Sequence, residues 1–333
     1  MSGVGLHKGI GLRVVSCGAL LAVAANACAA DRPAGLDWLK IAAFAGHQTD
    51  YSGVFVYQYD NHVETSKIIH IARPNGEFEK LDSLDGPQRE VIRHDGAVWS
   101  YVNHKMVQLD NQEGRSRFPS LLPEQLATLS ENYQAKLLGV ERIAGYNAQA
   151  IQFIPQDNLR YSHKIWVHTD SGLLLKAAVL SDRNQITEQY SFTQLQIGGK
   201  IDTSWVKECD DEEDMRRKTV QQMQGEQKDV EPVNSGWVAD TVPAGFRKTM
   251  EVRRMMHGKH APVTQIVYSD GLSAISVFIE QDDGDDDDVE GLASRGAMSL
   301  YHKVMGKNLI TVVGEVPPRT VMQVLDSVRY NGR

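Results

Sequence analysis

The sequence predicts an α+β chain: a large curled antiparallel sheet, a half-barrel with helices on its concave side, followed by a smaller antiparallel α+β domain. Three observations predict it. Between Tyr51 and Phe192, short runs of alternating polar and apolar residues recur between turn signals, the mark of antiparallel strands with one face to bury. Two stretches, Leu36–Ala45 and Ser120–Tyr133, instead carry apolar residues at helical spacing. A charged stretch poor in apolar residues, Glu208–Lys228, then separates this region from a second set of strand-like runs that opens near Trp237.

In chain order, the first element is an address. His7, Lys8 and Arg13 precede the apolar run Val14–Ala27, and Ala27-Cys28-Ala29-Ala30 offers a small-residue cleavage site. Residues 1–30 therefore read as a secretory signal peptide; the run is shorter than the ~20 residues a membrane span requires. A lipid-attachment reading of Cys28 meets Ala25-Asn26-Ala27, which lacks the bulky apolar residue such a site uses. The sheet region then covers 31–205, a linker 206–230, and the second domain 231–333.

A helix over Leu36–Ala45 presents Trp38, Ile41, Ala42 and Ala45 at one face and is expected to end near Gly46. Strands follow at Tyr51–Tyr59, Glu64–Ala72, Glu77–Ser83, Arg89–Arg93, Ala97–Val102 and Lys105–Leu109, joined at Asp60-Asn61-His62, Pro74-Asn75-Gly76, Asp85-Gly86-Pro87 and His94-Asp95-Gly96. Ser120 caps a second helix whose stripe is Leu122, Leu126, Leu129 and Tyr133; Pro123 falls in its first turn, where no N–H is needed. Ala135–Arg142 is a strand. A meander follows, with Ile151 and Phe153 on one face and Ala148 and Ala150 on the other. Ile165 and Val167 flank Trp166, and Leu173, Leu175, Ala177 and Val179 are expected to share a face after the tight turn Asp170-Ser171-Gly172. In the second domain, Met250–Met255, Val263–Ser269, Leu272–Glu280, Ala297–Lys303 and Asn308–Glu315 read as strands. A final helix after Pro317-Pro318 sets Val321, Leu325 and Val328 on one face.

Composition narrows the function. Of 333 residues, 35 are Lys or Arg and 43 are Asp or Glu, a balance of −8. Export removes Lys8 and Arg13 and no acid, leaving −10. Such a balance disfavours nucleic acid as a bulk partner. Of the cysteines, only Cys209 survives cleavage, so neither an internal disulfide nor a thiolate zinc cluster can form.

Catalytic patterns are not in evidence. The chain has no G-x-S-x-G, no phosphate-binding glycine loop and no dinucleotide fingerprint, so no enzyme, cofactor or metal is expected. His257 and His260 lack the glutamate of a metallohydrolase helix, and read as exposed loop residues. His62, His70, His94 and His104 read as solvated turn or strand residues, with a cluster left open. The acidic run Asp282–Asp288 lacks calcium-loop spacing and reads as a solvated hairpin tip. Six apolar side chains placed on the first sheet's strands are the candidate ligand surface: Phe55, Tyr57, Ile69, Phe78, Trp99 and Trp166. They fill an ordinary core, the commoner role of such residues, or line a concave lipid cavity, since a curled sheet closed by two helices leaves an apolar space beneath it.

The order of these motifs resembles the lipoprotein-carrier fold of LolA and LolB, and more closely the MucB/RseB family of periplasmic sigma-factor regulators. In the first domain the resemblance rests on Tyr51-Ser52-Gly53-Val54-Phe55-Val56-Tyr57 and on Trp166 through Leu175-Lys176. In the second it rests on Trp237, Pro243-Ala244-Gly245-Phe246, Tyr268-Ser269-Asp270-Gly271-Leu272 with Val277-Phe278, and Val312-Val313-Gly314-Glu315-Val316-Pro317. The acidic run Asp282–Asp288 departs from the family pattern. The resemblance implies a negative regulator of the envelope-stress response that binds the periplasmic domain of a membrane-spanning anti-sigma factor through the second domain. It implies that this shields the partner from site-1 proteolysis, that lipid or lipopolysaccharide relieves the shielding, and that the chain is a homodimer. A periplasmic lipoprotein carrier of the LolA type is the alternative that the first domain alone suggests.

Overall fold

The computed structural model describes residues 34–74, 76–94, 97–102, 105–108, 118–120, 129–206, 231–256, 259–282 and 290–332, with the backbone alone at 97, 99 and 105–108. Leu122, Leu126, the stretch 208–228, His104, His257, the run 283–288 and the side chain of Trp99 lie outside these.

Among the described residues, eleven strands build the first sheet: β1 (Tyr51–Tyr59), β2 (His62–Arg73), β3 (Gly76–Ser83), β4 (Arg89–His94), β5 (Ala97–Val102), β6 (Lys105–Gln108), β7 (Tyr133–Ile143), β8 (Tyr146–Pro155), β9 (Ser162–His168), β10 (Leu174–Leu180) and β11 (Ile186–Ile197). Their order is β6-β5-β4-β3-β2-β1-β11-β10-β9-β8-β7, two plain meanders joined where β11 returns antiparallel to β1. Tight reversals need left-handed backbone, and Asp60, Asn184 and Gly145 supply it at φ 48°, 60° and 89°. The sheet is curled: β7 touches β11, although four strand spacings, roughly 19 Å if flat, lie between them. Among the described residues, neither edge strand, β6 nor β7, pairs with the other.

Helix α1 (Gly35–Gln48) crosses the inner face and packs on β2, β7, β8 and β10. Leu39, Ala42 and Ala43 meet Ile151, Phe153, Ile165, Val167 and Leu174 in one core. The helix does not stop at Gly46. A Cβ there would lie 3.2 Å from Ser120 Cα, so this glycine marks a close approach inside the helix rather than its end. Ile41, expected to face the sheet, is half-buried on the outer flank.

The second predicted helix is described only over its last turn, α2 (Leu129–Asn132). Tyr133, expected on that helix, is the first residue of β7. The face expected for Leu173, Leu175, Ala177 and Val179 is interrupted by a bulge between Leu174 and Lys176. Leu174 joins the α1 core, while Leu173 and Leu175 join a second core with Tyr51, Phe55 and Phe192.

The second sheet has seven strands: β12 (Glu231–Pro232), β14 (Arg247–Arg254), β15 (Val263–Ser269), β16 (Ala274–Gln281), β19 (Asn308–Gly314), β18 (Met298–Met305) and β17 (Glu290–Arg295), in that spatial order. Helix α3 (Pro318–Asp326) covers one face, packing Val321, Val324 and Leu325 on Ile266, Ile275, Val277, Ile310 and Val312. Val328, expected on this helix, lies instead in β20 (Val328–Tyr330), which pairs with β13 (Trp237–Ala239). It stays in the same core, because a helix face continued past its end still points at the sheet. Leu272 falls in the loop before β16 rather than in the strand. Among the described residues, no helix is long and apolar enough to cross a membrane.

Candidate functional site

Strand parity decides where the predicted ligand residues go, because successive side chains alternate faces. Phe55 and Tyr57 pair directly with Phe192 and Tyr190. Tyr190 pairs with Ala177, and Ala177 with Ile165, which carries the set to the α1 face. There the rings form a row. Phe118 contacts Phe55, Phe192 and Tyr190 at centroid distances of 5.3, 5.2 and 5.5 Å. Tyr190 stacks on Tyr57 at 4.3 Å, and Tyr57 leans on Tyr59 at 5.0 Å. Burial pushes the Tyr57 and Tyr190 hydroxyls above their ordinary pKa. Glu188, next along the same face of β11, ends the row; burial raises its carboxyl above the usual range.

The other predicted residues lie elsewhere. Ile69 alternates with Ile68 and His70, and so turns away from the row. It shares a core with Ile71, Phe78, Ile92 and Trp205 on the opposite face. Trp99 occupies a backbone position opposite Ile92. Trp166, between Ile165 and Val167, also points away from α1. It is 3% exposed, donates from Nε1 to Glu141 at 2.8 Å, and has Lys164 and Lys176 ammonium groups 4.4 and 4.7 Å from its ring centre. Of the six residues, Phe55 and Trp166 thus share one core with Leu173, Leu175 and Phe192, Ile69 and Phe78 share another, and only Phe55 and Tyr57 take part in the aromatic row. Phe118, Tyr190 and Phe192 complete it. The signal for Tyr190 and Phe192 is the aromatic alternation Tyr190-Ser191-Phe192 at the end of the meander.

The histidines are not solvated turn residues throughout. His70 is 1% exposed, with Nδ1 2.8 Å from Thr49 O, and His94 stacks on Phe78 at 3.9 Å. The two lie on opposite faces, and no group of three or more His, Cys, Asp or Glu converges on a metal-sized site among the described residues. A separate open groove of about 680 Å³ runs along the outer flank of α1, lined by Lys40, Ile41, Phe44, Ala45, Gln48, Thr49 and Ser171.

The second domain meets the first at three places among the described residues. At one, on α3, Arg319 pairs with Asp182 and Thr320 Oγ1 donates to Leu159 O at 2.7 Å. The second sheet supplies the other two. At the first of these, Asp270 is fully enclosed. Its Oδ2 accepts from Tyr133 Oη at 2.9 Å and Arg160 Nη1 at 2.8 Å, and its Oδ1 from the Leu272 and Ser273 amides at 3.0 and 2.8 Å. Arg160 is 1% exposed. It also donates to Asp157 and to Ala244 O, and its guanidinium lies over the Tyr133 and Phe246 rings. Leu272 enters the α1 core, and Ser273 Oγ is 3.3 Å from Nε2 of buried His163. Burial lowers the His163 pKa to about 4. At the other place, the β17–β18 turn sits on the polar end of the aromatic row. Arg295 donates to Tyr59 Oη, with its guanidinium 4.7 Å from the ring centre. The Gly296 amide donates to Asp60 at 3.0 Å and the Ala297 amide to Glu188 at 3.4 Å. The motif Tyr268-Ser269-Asp270-Gly271-Leu272 marks Asp270 and Leu272 in the sequence. Nothing local in the sequence points to Arg160 or to the Arg295–Ala297 turn.

The inner face is thus lined with aromatic rings, and the second sheet seats its β17–β18 turn at the polar end of their row. Residues 34–209 match the model of the MucB/RseB N-terminal domain and residues 231–329 that of the MucB/RseB C-terminal domain. The chain is 32% identical to the sigma factor AlgU regulatory protein MucB of Pseudomonas aeruginosa over 318 residues, 94% of this chain and 95% of that one. It is 25% identical to the sigma-E factor regulatory protein RseB of Haemophilus influenzae, over 84% of this chain and 86% of that one. Among solved structures, it is similar to MucB in complex with MucA(peri), with 28% identity, a TM-score of 0.69, and 89% and 99% of the two chains covered. It is also similar to the Pseudomonas aeruginosa MucA/MucB complex, with 28% identity, a TM-score of 0.71, and 90% and 99% covered. By sequence over both of its sheets, and by fold, this chain belongs to the MucB/RseB family.

Proposed function

We propose that the chain is a periplasmic negative regulator of an envelope-stress sigma factor. On this reading it binds the periplasmic domain of a membrane-spanning anti-sigma factor, shields it from site-1 proteolysis, and lets it go when lipid or lipopolysaccharide binds. The observation that carries the reading is the likeness to MucB in complex with MucA(peri), which runs through both sheets rather than the first alone. Residues 1–30 direct export, 31–205 form the lipid-binding domain, 206–230 link it to 231–333, and the second domain meets the anti-sigma factor. The working form is a homodimer. The aromatic row around Phe55, Tyr57, Phe118, Tyr190 and Phe192 takes the acyl part of the lipid.

The coupling follows from linkage. Lipid can displace the anti-sigma factor only if it binds the free regulator more tightly than the complex, and the two ligands weaken each other by the same factor. Calorimetry of the mature chain with the periplasmic segment of its cognate anti-sigma factor, with and without lipopolysaccharide fragments, tests this. Binding that weakens as lipid is added is the expected result. Binding indifferent to lipid removes the release step and leaves a shield. No binding removes the regulator reading and favours a lipoprotein carrier, which extraction of lipoproteins from membranes would then identify.

A further inference from the structure

We infer that the β17–β18 turn, Arg295-Gly296-Ala297, is a releasable latch over the polar end of the aromatic row. Seating of the turn and occupation of the row by an acyl chain exclude one another. The inference rests on the reading that the inner face takes lipid, and it names the element through which that ligand acts on the second domain.

The row of rings is continuous. It runs from Phe192 and Phe118 through Tyr190 and Tyr57 to Tyr59, and Arg295 lies on the last ring. A chain sliding along the row past Tyr57 therefore meets the turn itself. The turn is shaped to sit there. Gly296 has φ 57°, and a Cβ on it would lie 3.0 Å from Tyr59 Cβ, so the backbone rests directly on the tyrosine. Its outer anchors, Arg295 and Asp60, are exposed, and both regain water when the turn lifts. Exposed hydrogen bonds and cation–π contacts of this kind hold weakly. The inner anchor, the Ala297 amide on Glu188, is buried, and water takes the place of its long hydrogen bond when the turn lifts.

The second attachment does not share this character. Asp270 and Arg160 have no exposed side-chain surface, and parting them would strand two charges in the interior. The β17–β18 turn thus opens and shuts while the Asp270 loop stays seated, together with the α3 contacts of Arg319 to Asp182 and Thr320 to Leu159 O. Because the latch-open state is the binding-competent one, weakening the latch raises apparent affinity by the factor it adds to that state's population.

The test uses the mature chain and cis-parinaric acid, a fluorescent acyl chain. Arg295→Ala combined with Asp60→Ala is expected to tighten parinarate binding about tenfold, the product of two weak exposed contacts. In the unmodified chain, saturating parinarate is expected to speed amide hydrogen exchange at 295–297 and leave 270–273 protected. Parinarate that binds both proteins equally, with unchanged exchange at 295–297, overturns the latch and leaves the lipid reading standing. Parinarate that binds neither overturns the lipid reading and the latch with it. The exchange measurement needs no substitution, so it decides the matter even if the double variant folds poorly.

Discussion

Two of the attachments between the domains, at the Asp270 loop and at the β17–β18 turn, use the same kinds of group, an arginine, an aspartate and a tyrosine, and put them to opposite ends. At Asp270 all three are buried and fully bonded: Arg160 engages Asp157, Asp270 and Ala244 O, and every oxygen of Asp270 accepts. At the β17–β18 turn, Arg295 and Asp60 reach water. The difference shows that residue type alone does not set the strength of a polar contact. Burial raises both the attraction and the penalty for leaving either partner unpaired, so the enclosed attachment is a fixed joint and the exposed one is free to exchange with solvent.

Breaking the enclosed attachment is expected to have the largest effect. Asp270→Ala leaves the Arg160 guanidinium with one carboxylate instead of two, and the Tyr133 hydroxyl without its acceptor. Removing one partner of a buried pair costs about 3–5 kcal/mol. Urea unfolding of the mature chain should register a loss of that size. Small-angle scattering below the transition should show a more extended particle if the sheets part first. A loss under about 1 kcal/mol, the range of a surface pair, would mean that Leu272 and the apolar contacts around it hold the sheets together, and that burial does not separate the two attachments in strength.

The same joint carries an acid-sensitive group. His163 is buried against Ser273, and burial lowers its pKa from 6.5 to about 4. Between those values the unfolded chain binds a proton that the native one does not, so stability rises with pH through this window and is complete above 6.5. Acidifying from pH 6.5 to 4 should therefore cost on the order of 3 kcal/mol at this site alone. His163→Asn should flatten melting temperature against pH over that range. An unchanged profile would show that His163 is protonated in place and that the joint tolerates its charge.

The meander is legible because its turns are spelled out at Asp60-Asn61, Gly145 and Asp182-Arg183-Asn184, and because Ile151 with Phe153 and Ile165 with Val167 fall at two-residue spacing and reach the α1 core. What does not show are places where tertiary packing overrides local pattern. In β2, Ile68, Ile69, His70 and Ile71 are all buried, since Tyr51 covers one face and Trp205 the other. A run apolar on both sides gives no parity to read, so sequence alone neither assigns Ile69 and Phe78 to the inner face nor excludes them from it. A bulge at Leu175 displaces the face expected there, and bulges carry no sequence mark of their own. Gly46 reads as a stop in the sequence and is a contact in the structure. The Arg160–Asp270 pair joins residues 110 positions apart, beyond the reach of any local signal.

The exposed attachment carries a titrating group of the opposite sign, which sharpens the contrast at the smallest scale. Glu188 lies at the polar end of the row, and burial raises its pKa above the ordinary 4.5; bonds from Tyr57 and the Ala297 amide offset part of that rise. From pH 4.5 upward to its folded value, the native chain holds a proton that the unfolded one has released. Stability therefore falls as pH rises through that window and stays lowered above it. Glu188→Gln keeps an acceptor for the Ala297 amide and removes the charge. It is expected to raise the melting temperature at pH 7.5 by a margin worth about 1 kcal/mol or less, and that margin should vanish below pH 4.5, where the native carboxyl is already neutral. Acid would then loosen the sheets at His163 while relieving the buried charge at Glu188. A gain that persists at pH 4 would show that the Glu188→Gln change acts through packing rather than charge, and the two attachments would no longer differ in the sign of their response.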